Sequence, residues 1–156
     1  MSPAADVRLP DVLLTRLGLA RADGGEALGI QICTIDGVGF PHPAMLSPLE
    51  VVAMDARRLR LAVWPAHRTA RHLRDDRRVA LMYVDEGLAC YIKGLATPLP
   101  PISTGEARFE VVVTAVSLDR PDPTREGAAR ITAGIRIAGR VVEPESLRRR
   151  LEAIAG

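Results

Sequence analysis

The chain of 156 residues has no asparagine, one lysine (Lys93) among 21 basic residues, and two cysteines, Cys33 and Cys90. Such arginine-heavy, amide-poor usage fits a GC-rich genome or a warm habitat, where labile amides are sparse. Two cysteines far apart in apolar runs make neither a metal knuckle nor a disulfide framework. They read as small core residues in a reducing compartment. Aromatic side chains are sparse as well: Phe40, Trp64, Tyr83, Tyr91 and Phe109. That is too few for a base-stacking platform interleaved with charge, and a net charge of +2 adds little, so nucleic acid is not an expected partner. His42, His67 and His72 include no pair at the four-residue spacing of a helical metal site, so no metal is expected. No stretch approaches the roughly 18 unbroken apolar residues of a membrane span. No basic-then-apolar leader opens the chain, and the expectation is a cytoplasmic protein without membrane contact. Nucleophile elbow, P-loop and dinucleotide fingerprint are all missing. His42 and His67 remain the candidates for proton delivery, and no catalytic residue is assigned.

What is present fits a single domain over residues 1–156, long enough for a real core. Residues 1–9 read as loose, and Pro10 opens a short helix whose stripe is Val12, Leu13, Leu14 and Leu17. Residues 22–25 are turn chemistry. Residues 28–35 form a strand, closed by a hairpin at Asp36, Gly37, Val38 and Gly39. The next strand is expected from Phe40 to about Met54, with Pro41, Pro43 and Pro48 forcing a bulge or an edge position. Further strands follow at 59–63, 79–84, 88–95, 107–118 and 129–137, with a rigid break at 97–101 and a loop at 121–127. Glu143 and Pro144 start a last helix, striped by Leu147, Leu151 and Ile154. Six or seven short strands with few helices predict an antiparallel barrel or meander, not a doubly wound sheet.

The stretch 59–81 organises the rest. Its strand ends at Trp64 and Pro65, a basic helix follows, and an extended pattern resumes at Val79. His67, Arg68 and Thr69 stand at the helix start, where backbone N–H groups and a guanidinium can hold a phosphate. The same residues also suit a solvated connector.

Residues 33–43, the strand ending at Val63 and Trp64, the run 68–81 and residues 92–96 together resemble the pyridoxamine 5′-phosphate oxidase-like, FMN-binding split barrels. The resemblance spans roughly residues 10–120. It implies a mostly β, α+β fold: a six-stranded antiparallel split barrel with short helices at both ends and one between strands. It also implies a homodimer with FMN at the subunit interface. Met45, Leu46 and Ser47 would lie under the isoalloxazine, and Ala62, Val63 and Trp64 would line its other side. His67, Arg68 and Thr69 would face the phosphate, with Lys93 or Arg71 supplying a second charge. His72 stands where the family commonly has asparagine, and Thr69 where many members carry a base. The C-terminal arginine and tryptophan clamp of true pyridoxamine phosphate oxidases has no counterpart here. The implied function is a flavin-dependent oxidoreductase acting on a small molecule. A deazaflavin such as F420, a haem or tetrapyrrole ligand, and a non-catalytic flavin-binding or sensing module are the alternatives.

Overall fold

The structure, a computed structural model, describes residues 7–21, 28–122, 124–125, 127, 129–137 and 142–156. The turn expected at 22–25 and most of the loose N-terminus lie outside the described residues. Among the described residues seven strands form one antiparallel sheet: β1 (Ile30–Ile35), β2 (Pro41–Leu46), β3 (Val51–Asp55), β4 (Arg58–Val63), β5 (Arg78–Asp85), β6 (Leu88–Leu99) and β7 (Ala107–Asp119). Their order is β2-β1-β5-β6-β7-β4-β3. Among the described residues three α-helices accompany them, α1 (Asp11–Leu17), α2 (Arg68–Asp75) and α3 (Pro144–Ala155). The mostly β architecture, with helices at both ends and one between β4 and β5, is the expected one. The strand number is corrected: the sheet has seven strands rather than six and stays open, with β2 and β3 as its edges.

Proline explains the first change. The single strand expected from Phe40 to Met54 is two, broken by a 3-10 turn at Pro48–Glu50. Ser47 caps that turn, and its N–H donates to the Glu50 carboxylate at 2.7 Å in a reciprocal capping box. Pro41 and Pro43 fall in β2, an edge strand, where a missing N–H breaks no second ladder. The strand expected at 129–137 does not form. That segment runs beside the sheet, touching it through a bridge between Leu28 and Arg136 and through N–H groups of Gly29 and Gly87 bonded to Ile135 and Ile131. Its side chains stay largely in solvent, so no apolar face drives pairing. The break expected at 97–101 is shorter, because β6 continues to Leu99 against β7. The β5 ladder has already ended at Leu95, so Pro98 removes a donor that β5 would not use. A bulge separates Lys93 from Gly94, where a Cβ would stand 2.6 Å from the Val112 carbonyl oxygen.

Alternation builds the core. Ile30 and Ile32 of β1, Leu59 and Leu61 of β4, Ile92 of β6 and Phe109 of β7 are buried, and α1 adds Leu13 and Leu17. Each such side chain contributes about 1.5–3 kcal/mol by leaving water. A second cluster lies on the other side of β3 and β4, where Leu147, Leu151 and Ile154 of α3 cover Val52, Ala62 and Ile102. Arginines fasten α3. Arg150 donates to both carboxylate oxygens of Glu106 at 2.5 and 2.6 Å and to the Leu49 carbonyl at 2.8 Å. Arg60 donates to the carbonyl of Ala155, and Arg108 to that of Ile154 at 3.5 Å. The Arg150 guanidinium holds the Glu106 carboxyl below the usual carboxylate range. Among the described residues no helix is long and apolar enough to cross a membrane.

Candidate functional site

Strand β4 delivers the chain to a corner. Trp64 emerges half exposed, the His67 N–H closes a turn on the Trp64 carbonyl at 3.1 Å, and α2 begins. His67 is its N-cap, no side chain caps it, and its first turn holds no acid. A basic residue at the positive end of a helix is unfavourable unless an anion joins it. Thr69, Ala70 and Leu73 face inward and are buried. Arg68, Arg71 and His72 stand three and four residues apart, so they share a helix face.

Across from that face lies the β1–β2 hairpin. Between them is a cleft of about 260 Å3, lined by Arg68, Arg71 and His72 on one side and by His42 and the Asp36 turn on the other. His72 is only 4% exposed, and its Nδ1 lies 2.9 Å from the Oγ1 of buried Thr34. The His42 ring meets it edge to face, with centroids 4.9 Å apart. Asp36 accepts the N–H groups of Phe40 at 2.8 Å and Val38 at 3.0 Å. These bonds, Phe40's first, hold its carboxyl below the usual range, with a smaller pull from His72 and His42. Among the described residues Arg68 and Arg71 enter no ion pair, and no group of three or more His, Cys, Asp or Glu is placed to hold a metal.

The residues named from the sequence are distributed as follows. Trp64, His67 and Arg68 share the exposed corner, while Thr69 turns inward at 6% exposure. Val63 and Leu46 belong to the core, Ala62 lies beneath α3, and Ser47 caps the 3-10 turn. Met45 and Lys93 occupy the outer face of the sheet. There Pro43, Cys33, Ala80 and Lys93 form one row across β2, β1, β5 and β6, and Met45, Gln31, Met82 and Tyr91 the next. Most of these side chains line an apolar cavity of about 410 Å3. Thr34 and His42 alternate to the opposite face, so within one chain Lys93 and the Arg68 cleft lie on different sides of the sheet.

His72 and Asp36 were not singled out as ligands from sequence. The spacing of Arg68, Arg71 and His72 was a readable signal, but the hairpin opposite them was not. The donor set of the cleft, two guanidiniums and two imidazoles beside an uncapped helix start, fits the phosphate end of a flavin nucleotide. For the ring end, β4 runs past its last β3 pair at Leu61, so the Ala62 and Val63 backbone continues beyond that ladder toward exposed Trp64.

No family model matches the chain. It is 30% identical over 115 residues to the uncharacterized protein YclD of Bacillus subtilis, covering 72% of this chain and 70% of that protein. Among solved structures, the "putative pyridoxamine 5′-phosphate oxidase" of Lactobacillus delbrueckii superposes with a TM-score of 0.57 at 12% identity, over 75% of this chain and 99% of that one. HupZ of Group A Streptococcus gives 0.51 at 12% identity, over 71% and 90%. At such identities the structural likeness concerns the fold.

Proposed function

The chain belongs to the family of YclD and has the split-barrel fold of pyridoxamine 5′-phosphate oxidase-like proteins, and on that premise we propose that it binds FMN. On this reading it is a flavin-dependent oxidoreductase for a small molecule, without the substrate clamp of a pyridoxamine phosphate oxidase. The observation that carries the reading is the corner between β4 and α2, where Trp64 and His67 are exposed beside Arg68 and a basic cleft. FMN, when bound, supplies the two-electron chemistry. The chain's own part is to hold the phosphate with Arg68 and the open first turn of α2, and to place Trp64 beside the ring. The outer face, with exposed Met45, Tyr91, Leu95 and Val112, supports a homodimer, since a patch of that kind is usually covered.

Adding FMN to the purified protein tests the reading. The expected results are a two-banded flavin spectrum that stays with the protein through gel filtration and a rise in thermal stability, because a ligand of the native state must stabilise it. A single long-wavelength band in protein as purified would transfer the assignment to a deazaflavin such as F420. Colourless protein with no stabilisation by FMN would sink it. FMN binding without turnover of reduced nicotinamide would make the chain a binding or sensing module. Light scattering should report a dimer mass.

A further inference from the structure

We propose that the trough on the outer face of the sheet, between β2 and β6, binds a flat, mostly apolar molecule with an acidic group at one end. It lies on the other side of the sheet from the Arg68 cleft and does not depend on the flavin reading. The solvated face of an antiparallel sheet ordinarily carries polar side chains. Here the outer positions at the middle of β1 and β5 are Gln31, Cys33, Ala80 and Met82, and the cavity that they line holds about 410 Å3. A space of that size suits a small molecule.

Register gives the trough its shape. Cys33 and Ala80 pair at its centre, and both have short, half-buried side chains. Met45 on β2 and Tyr91 on β6 bound it, at 41% and 39% exposure. Three strand steps of about 4.8 Å separate β2 from β6, so the trough is roughly 14 Å long. One flank is closed. Gly29 and Val84, two residues beyond the Gln31–Met82 pair, are met there by the extended segment 129–137. The Gly29 N–H donates to the Ile135 carbonyl at 2.7 Å, and a Cβ on Gly134 would collide with the Val84 carbonyl oxygen. Glycine lets that backbone lie against the sheet, and Ile135 and Ile137 gather with Met45 around Gly29 as an apolar wall.

Charge decides the occupant. Among the described residues no carboxylate lines the trough, and Lys93, the only lysine of the chain, stands at its β6 end. The cross-strand neighbours of Lys93 are Ala80 on β5 and Ala115 on β7, and it makes no ion pair among the described residues. Arg58, Arg60 and Arg78, on the same sheet, each have a carboxylate partner. A cation without a partner at one end of an apolar trough complements an acid carried on an apolar body, through a charge-assisted hydrogen bond. A second copy resting on the outer rim would roof the trough, because its floor is recessed between Met45 and Tyr91.

The test titrates the full chain with two fluorescent probes, anilinonaphthalene sulfonate and its uncharged parent phenylnaphthylamine. Saturable binding of the sulfonate is expected, with a rise in thermal stability that marks the folded state as the binder. Lys93→Gln, on an exposed position, should weaken the sulfonate about tenfold and leave the uncharged probe unchanged. Ala80→Met, which fills the floor, should abolish both; should it fail to fold, Lys93→Gln decides. Arg68→Ala and added FMN should leave the sulfonate bound. No saturable binding overturns the site, and with a dimer mass by light scattering it means that the partner copy fills the trough. Wild-type sulfonate affinity in Lys93→Gln also overturns it. Displacement by FMN, or loss in Arg68→Ala, moves the probe to the basic corner and overturns the trough while keeping the flavin reading. Sulfonate binding in a chain that does not bind FMN keeps the trough and removes that reading.

Discussion

Helices α2 and α3 carry three arginines each and put them to opposite uses. In α3, Arg148 pairs with Glu145 at 2.7 Å and Glu152 at 2.8 Å, Arg149 reaches Glu145, and Arg150 grips Glu106. Its first turn carries Glu145, the sign that the helix dipole favours there. In α2, Arg74 lies 5.7 Å over the Phe109 ring, and Arg68 and Arg71 have no carboxylate partner among the described residues. Basic charge opens that helix at the end where the dipole opposes it. Charge that is matched fastens a helix to the sheet; charge left unmatched around a cleft is available to a ligand. Composition alone would have treated the two helices alike.

The largest expected effect separates fastening from binding. Arg150→Met leaves the Glu106 carboxylate buried without its guanidinium and should cost about 3 kcal/mol in urea unfolding. Arg71→Gln should change unliganded stability by less than about 0.5 kcal/mol. Equal losses in the two variants would erase the distinction. Next, Arg68→Ala should weaken FMN about tenfold by fluorescence titration with the unfolding midpoint unmoved. Unchanged FMN affinity would reduce the corner to a connector.

A pH profile sharpens the α3 side. Because Arg150 depresses the folded-state pKa of Glu106, the anchoring is complete above the ordinary glutamate range and is lost as pH falls through the folded value. The stability gap between wild type and Arg150→Met should therefore be constant near neutrality and close on acidification below roughly pH 4. A gap that widened in acid would refute the assignment. The smallest effect is expected from Arg148→Ala, whose pairs with Glu145 and Glu152 lie in solvent: an unfolding midpoint close to that of the wild type. A loss as large as that from Arg150→Met would mean that burial is not what distinguishes them.

Local regularity made most of the fold readable. The spacing of Leu147, Leu151 and Ile154 behind Pro144 marked α3, and the alternation through Ile30 and Ile32 marked β1. Trp64 and Pro65 marked the end of β4. The stretch from Phe40 to Met54 misled because its apolar content runs on through Pro48, and only the capping box of Ser47 with Glu50 shows where one strand stops. Residues 129–137 misled differently, since β-favouring residues with no buried face have nothing to pair against.

The site was half legible. Arg68 at a helix start carried a local signal of anion binding. Thr34, His42 and His72 carried none, because Thr34 and His72 are 38 residues apart and meet only when α2 packs on β1.

What the sequence by itself determined is whatever depends on neighbours within a turn or a strand: the seven places where extended structure forms apart from one split and one loss, the three helices, and Arg68 at the head of the basic one. Tertiary structure alone decided which arginines find carboxylates and which face a cleft. It also decided that Lys93 and Arg68 lie on opposite faces of the sheet within one chain, and that buried Thr34 meets the His72 ring across 38 residues of sequence. The physical reason is range: propensity and periodicity act over a few residues, whereas the partner of a charge or a ring nitrogen is supplied by the strand or helix that packing brings beside it.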